Sequence, residues 1–263
     1  MIRAAAIVCA LLCASALADD WQKTLTPLKA GGFPPLRAQK ATYKFGWGTI
    51  TAATADFNFS KTKGSQLKLA VTAKTTGFAR TLWRMDLHQT ALADAATLRP
   101  ISLQQTETYK NKTLIAKVNF APDQLLRWHE SKPPGATPAK WRAFKCADVF
   151  DIHSALLLMR SQRLKAGDIY RLVVYPARDA YLTEIEVVGR EKLTVGGKEY
   201  ASIKCALRLQ GITKKLALEP HKKFKKAFIW VSDDRDRLLL KVQAEVFVGS
   251  VWTELESVKF AEP

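Results

Sequence analysis

Asp148-Val149-Phe150-Asp151-Ile152-His153-Ser154-Ala155-Leu156-Leu157-Leu158-Met159-Arg160-Ser161-Gln162 carries the helical signal of a chain that otherwise alternates like β-strands. Asp148 is placed to serve as N-cap. Asp151 adds negative charge in the first turn and Arg160 positive charge in the last, the polarity that a helix dipole favours. At about 100° per residue, Val149, Ile152, Ala155, Leu156 and Met159 form one broad apolar arc, Phe150 and Leu157 form a second, and His153 and Arg160 lie between them. A helix over 149–162 with apolar surface on two sides needs two covers. A sheet is expected to supply the first; a loop, a second sheet or a ligand supplies the other.

Outward from this run the period changes from helical to two. Tyr43, Phe45, Trp47, Thr49, Thr51, Ala53, Ala55, Phe57 and Phe59 hold every second position, the alternation of one long strand or of two in succession. Gly46 and Gly48 interrupt the polar side and permit a bend or a close backbone approach. A turn at 61–65 and the alternating Leu67, Leu69, Val71 and Ala73 complete a hairpin. Ala53 and Ala55, small between aromatic pairs, leave inner room for the helix or for a guest. Thr81, Trp83, Met85 and Leu87 suit a strand, and 91–99 reads as a turn or helical piece before Pro100. Hairpin signals recur at 101–120 and at Gly196-Gly197, and the run Asp233-Asp234-Arg235-Asp236-Arg237 reads as a solvated turn with local ion pairs.

Roughly eleven to thirteen strands joined by short turns, with no crossover helices, predict a mainly β fold: an antiparallel meander curled into a barrel or half-barrel with one packed central helix. Residues 41–263 make up this single β-rich domain. Residues 19–40, with Pro27, Pro34, Pro35 and the Gly31-Gly32 pair, form an extended N-terminal arm laid over it.

Arg3, the apolar run 4–12 and Ala16-Leu17-Ala18 read as a secretory signal over 1–18, cleaved after Ala18. The protein is therefore expected in the periplasm or outside the cell. No later apolar run reaches the length of about 18 residues that a membrane span needs. Export would leave Cys146 and Cys205 in an oxidising compartment, either as a disulfide or as two buried thiols too far apart to bond. The composition, 48% hydrophobic and 25% charged, excludes a disordered or collagen-like chain. The net charge of +17 directs an exported protein towards anionic lipid, lipopolysaccharide or acidic glycan rather than nucleic acid.

Catalytic signatures are missing. His88, His129, His153 and His221 are scattered singly, without the spacing of a zinc site. Both S-x-x-K matches, at Ser60 and Ser65, fall in a hairpin turn rather than at a helix start. Asp233 and Asp234 are adjacent, so on a strand they point to opposite faces instead of flanking a glycosidic bond. No metal or other cofactor is expected. Lys222-Lys223-Phe224-Lys225-Lys226 is the densest cationic stretch; it reads as a lysine-protected loop or edge, or as a contact with an anionic envelope surface. His153 and Arg160 stand two turns apart on one helix face. Arg160 then pairs with a strand carboxylate such as Asp168 or Glu184, or both residues anchor the polar head of a ligand. The tail of that ligand would lie along Trp47, Ala53 and Ala55, with Phe150 and Leu157 completing the candidate site.

Three stretches carry a family likeness: Tyr43-Lys44-Phe45-Gly46-Trp47-Gly48; Asp151-Ile152-His153-Ser154-Ala155-Leu156 with Arg160 and Gly167-Asp168; and Trp230-Val231-Ser232-Asp233-Asp234 with Gly249-Ser250. Together they resemble domain of unknown function family 3108, a family of exported bacterial proteins, over residues 33–260. The resemblance implies an exported, β-rich envelope protein and carries over no catalytic residue. The layout of one curved sheet with a packed helix is also similar to the half-barrel carriers of bacterial lipoproteins, a likeness of fold alone. The expected function is non-catalytic binding or carriage of an amphipathic or anionic envelope component such as lipid or lipopolysaccharide, with peripheral membrane contact. The alternative is an envelope assembly or scaffolding protein that holds a protein partner through a strand edge and the basic loop.

Overall fold

The long alternation from Tyr43 resolves into two strands about a turn at Gly48: β1 (Gln39–Trp47) and β2 (Ile50–Lys61). Gly46 marks a register shift between them. A Cβ there would lie 2.2 Å from the Trp252 ring, so only glycine lets that indole pack over the strand. These elements belong to a computed structural model that describes residues 20–62, 64–133, 138–221 and 226–261. The expected signal 1–18 and Lys222, Lys223 and Lys225 lie outside the described residues.

In chain order there follow β3 (Gln66–Thr75), α1 (Gly77–Leu82), β4 (Met85–Asp94), β5 (Pro100–Tyr109), β6 (Lys112–Phe120), β7 (Leu125–Lys132) and β8 (Arg142–Phe144). Next come β9 (Val149–Phe150), α2 (Ile152–Arg160), β10 (Ile169–Val174), β11 (Ala180–Val195), β12 (Lys198–Ile212), β13 (Leu218–Pro220), β14 (Lys226–Ser232), β15 (Leu239–Glu245) and β16 (Ser250–Phe260). Among the described residues all sixteen strands join one sheet, ordered β8-β7-β6-β5-β4-β3-β2-β1-β16-β15-β14-β12-β11-β10-β9, with β13 beside β12. The meander is antiparallel except where β9 runs parallel to β10. Pairing of β1 with β16 places both ends of the domain at mid-sheet.

The sheet curls like a barrel, but its edges β8 and β9 do not pair, and side chains make the closure. Arg127 on β7 donates to Tyr175 Oη at 3.3 Å, and His129 Nε2 donates to Ala177 O at 2.8 Å. Behind these contacts Leu103, Val118, Leu125 and Phe144 pack with Val173, Tyr175 and Leu182. Burial of apolar side chains thus joins the two edges without a continuous ladder of backbone bonds.

The helix is shorter than the expected 149–162 and has a different cap. Val149 and Phe150 pair with Val173 and Val174 as β9 and are buried on the sheet. Pairing there satisfies backbone groups at the sheet edge and buries both side chains. Asp148 instead adopts φ +54° and meets Arg99 at 2.6 Å. Asp151 is the N-cap: its carboxylate accepts from His153 N at 2.8 Å, from Ser154 N at 3.2 Å and from Ser154 Oγ. The strand expected from Thr81 and Trp83 is a short helix, α1, and the strand begins only at Met85. No helix among the described residues is long and apolar enough to cross a membrane.

The arm has little regular structure beyond a 3-10 turn at Trp21–Thr24 and ends earlier than the expected residue 40, since β1 begins at Gln39. Its Trp21 is buried and donates to Leu216 O at 2.8 Å. Further on, a Cβ at Gly31 would come within 2.0 Å of Ser161 O, so glycine is required where the arm crosses the end of α2.

Candidate ligand site

α2 lies between two parts of the curled sheet. Ala155, Leu158 and Met159 pack against Leu172 and Val174 of β10, Ile185 and Val187 of β11, and Ile203 and Cys205 of β12. On the other side, Leu157 meets Phe59, Leu67 and Ala93 of β2, β3 and β4, and His153 Nε2 donates to Gln89 Oε1 of β4. Between α2 and β1–β3 this second side leaves a cavity of about 110 Å³. Tyr43, Phe57, Phe59, Leu69, Leu156 and Leu157 supply apolar wall, and Gln39, His153, Arg160 and Arg237 supply the polar groups.

The polar end is built by the turn at 233–238. Asp234 accepts from Ser232 Oγ at 2.8 Å, Asp236 N at 2.9 Å and Arg237 N at 3.0 Å, which fixes the turn. Arg237, at φ +42°, is only 6% exposed. It donates to Arg160 O at 2.7 Å, to Gln162 O and to Arg163 O at 3.3 Å, capping the last carbonyls of α2. Asp236, 8% exposed, is held by Arg37 at 2.6 Å. The expected solvated turn with local ion pairs holds for Asp234 and Arg235, which are exposed, and for Asp233, paired with Arg190; it is corrected at Asp236 and Arg237, buried because the helix end needs donors and the arm brings a counter-cation. Ser161-Gln162-Arg163 contains no glycine to close the helix, and that is the sequence signal that an outside donor was required.

Arg160 does not pair with Asp168 or Glu184. Asp168 accepts from Lys165 N and Tyr170 Oη, and Glu184 is held by Arg171 and Arg208. Pointing instead towards the 233–238 turn, Arg160 donates to Pro34 O at 3.2 Å and Asp236 O at 2.8 Å. Phe33 of the arm covers both guanidiniums, 3.5 Å from Arg237 and 5.9 Å from Arg160. Burial and the neighbouring Arg237 charge push the Arg160 pKa down to about 10, which still leaves it cationic at neutral pH. Burial also lowers Arg237, whose guanidinium stays charged under any ordinary condition.

Three polar atoms at this end have no hydrogen-bond partner among the described residues: Arg160 Nε, Arg237 Nε and Gln39 Oε1. Each belongs to a side chain that lines the cavity. Two N–H donors on buried cations and one acceptor are therefore left unpartnered in side chains that border one apolar cavity. Such a set can take an anionic head that also carries a hydroxyl or acidic proton. His153 adds an imidazole whose pKa burial lowers, with Asp151 opposing, so the neutral form is favoured.

Of the residues expected at a ligand site, the structure brings His153, Leu157 and Arg160 together and sets two apart. Trp47 is 46% exposed at the far end of β1, where it donates to Val248 O at 2.7 Å. Phe150 is buried in β9 with the sheet-side cluster, because its residue is strand and not helix. Of the basic stretch, Lys226 is described and is exposed at the start of β14. Cys146 and Cys205 are both buried and free, each in a separate core cluster, so no disulfide forms. Burial pushes both thiols up to about 11, which removes thiolate reactivity. No group of three or more His, Cys, Asp or Glu able to hold a metal occurs among the described residues.

The family model described as "Protein of unknown function (DUF3108)" matches residues 42–256. The chain belongs to this family. Its extent covers most of β1 through most of β16, including α2 and the 233–238 turn. Among solved structures, the DUF3108 chain is similar to a β-barrel-like protein of domain of unknown function 1849 from Brucella abortus. That match has 9% identity and a TM-score of 0.58, and covers 87% of this chain and 100% of that one. At this identity the likeness shows the fold alone. A second match is a protein from Bacteroides fragilis described as exported with a YmcC-like fold, at 11% identity and a TM-score of 0.32, covering 88% of this chain and 99% of that one. No curated protein matches the sequence.

Proposed function

We propose that this DUF3108 protein is an exported, non-catalytic binding protein of the cell envelope whose ligand is an amphipathic acid. The supporting observation is that Arg160 Nε, Arg237 Nε and Gln39 Oε1 are buried without partners in three side chains that line one apolar cavity. A buried donor or acceptor left unmade costs about 1–3 kcal/mol, and a carboxylate or phosphate head would meet both guanidiniums at once. Tyr43, Phe57, Leu156 and Leu157 would take the apolar stem. Size sets the scale of the guest. Pockets for drug-sized ligands run from about 300 Å³ upwards, so 110 Å³ suits a head group with a short stem, and a full acyl chain would have to displace Leu156 and Leu157.

Thermal shift and calorimetric titration with butyrate and butyl phosphate test this reading, alongside native mass spectrometry of gently purified protein. Wild type is expected to bind butyl phosphate and gain stability. Leu157→Trp, which fills the cavity from its wall, is expected to abolish binding while the protein stays folded. Absence of binding by wild type to both amphiphiles, with no copurifying ligand, would overturn the proposal.

A further inference from the structure

Several consecutive connections at one end of the sheet expose their largest apolar side chains. Trp47 and Ile50 flank the β1–β2 turn at 46% and 53% exposure, and Phe247 and Val248 form the β15–β16 turn at 91% and 60%. Phe78, Leu82 and Trp83, on and beside α1, are exposed by 71%, 70% and 57%. Most of the large apolar side chains that the described residues expose are gathered here. Since β15, β16, β1, β2, β3, β4 and β5 are neighbours in the sheet, these connections form one rim. Cross-contacts bind it together: Trp252 Nε1 donates to Gly48 O at 2.8 Å, Thr76 N donates to Ala52 O at 2.9 Å, and Trp83 stacks on Tyr109 at 5.9 Å.

Exposed cations border the same rim. Arg84 adjoins α1, Lys110 and Lys112 form the β5–β6 turn, and Lys226 stands opposite Glu245 beside the β15–β16 turn. The acidic groups there are Asp86, already held by Arg80 at 2.9 Å and near Arg84, and Glu245. Positive charge is therefore in excess around an apolar, tryptophan-bearing edge.

We propose that this rim docks the protein on an anionic phospholipid bilayer. The rim consists of separate loop tips and one short helix, not of a groove that a folded partner would fill. A bilayer needs no matching shape; it takes Trp and Phe at the headgroup level while neighbouring Lys and Arg meet lipid phosphates. The rim is distinct from the ligand cavity, because Gln39 and Trp47 are the two ends of β1, about 26 Å apart at ordinary strand rise. It stands without the ligand reading.

Sedimentation with vesicles of phosphatidylcholine alone, or of phosphatidylcholine with phosphatidylglycerol, is the test. Wild type is expected to bind the phosphatidylglycerol vesicles preferentially and to release them at high salt. A variant combining Phe78→Ser, Leu82→Ser, Phe247→Ser and Val248→Ser is expected to lose about tenfold or more of that binding. Those four side chains are well exposed, and an unchanged circular dichroism spectrum and denaturation midpoint would distinguish a lost rim from a lost fold. Replacement of Lys110 and Lys112 by Gln is expected to weaken binding to anionic vesicles and leave the residual binding to neutral ones. Failure of wild type to bind phosphatidylglycerol vesicles overturns the proposal and leaves the rim as a surface for a protein partner. Equal binding to neutral vesicles, or undiminished binding by the four-site variant, overturns it as well.

Discussion

The two sides of α2 are built from the same short run of residues and end in different surroundings. Facing β10–β12, Leu158 is fully buried, with Ala155 and Met159 beside it among Leu172, Val187 and Ile203. Facing β1–β3, Leu156 and Leu157 are only half-buried, and they border a cavity that also holds unpartnered polar atoms. Both sides carry apolar side chains. The difference lies in what the sheet offers: an interdigitated wall of branched side chains on one side, and on the other a span closed by an arm and a charged turn. One helix can thus anchor a fold with one face and leave the other for a guest.

The strongest test of that contrast is truncation of the sealed face. Leu158→Ala should cost about 3–4 kcal/mol, read as a lower denaturation midpoint, because a fully buried leucine leaves a cavity that its neighbours fill only in part. Asp151→Ala should cost about 2 kcal/mol in the same assay, since it removes the cap of α2 and leaves buried Ser154 without its acceptor. Leu157→Ala, on the open face, should cost about 1 kcal/mol, having less area to lose. Equal losses for Leu157 and Leu158 would break the comparison.

The smallest expected effect is a pH dependence from His153. Its folded pKa lies below the ordinary 6.5, first because burial disfavours the imidazolium, with Asp151 acting in the opposite sense. The unfolded chain therefore takes up the proton first. The stability this contributes is fully present above pH 6.5 and drains away as pH falls through that value towards the folded pKa. Denaturation midpoints should decline on acidification in wild type, and His153→Gln should decline less. His129, lowered chiefly by burial, keeps part of the slope in the variant.

Much of the sheet is visible in the chain, because a period of two survives whatever a strand packs against. Tyr43, Ala55 and Phe59 alternate in sequence and are buried in the structure. Val149 and Phe150 escaped that reading: a pair of apolar residues beside a helical run fits either period, and the free edge of β10 decided for strand. Trp47 kept its place in the alternation, yet the strand carries it past the end of the interior. The site was half legible. His153 and Arg160 share a helix face by spacing alone, whereas Arg237 sits in a charged run that reads as surface.

The sequence by itself determined a curled, mainly antiparallel β architecture around one helix, membership of a family, and a His–Arg pair on that helix. These follow from periodicity and spacing along the chain, which are local properties. Tertiary structure alone decided that Asp151 and not Asp148 caps the helix, that Arg237 and Gln39 join Arg160 at one cavity, and that Trp47 belongs to an exposed rim. Each of those depends on backbone groups and charges brought together from residues far apart in the chain, where burial sets the need for a partner and only the fold supplies it.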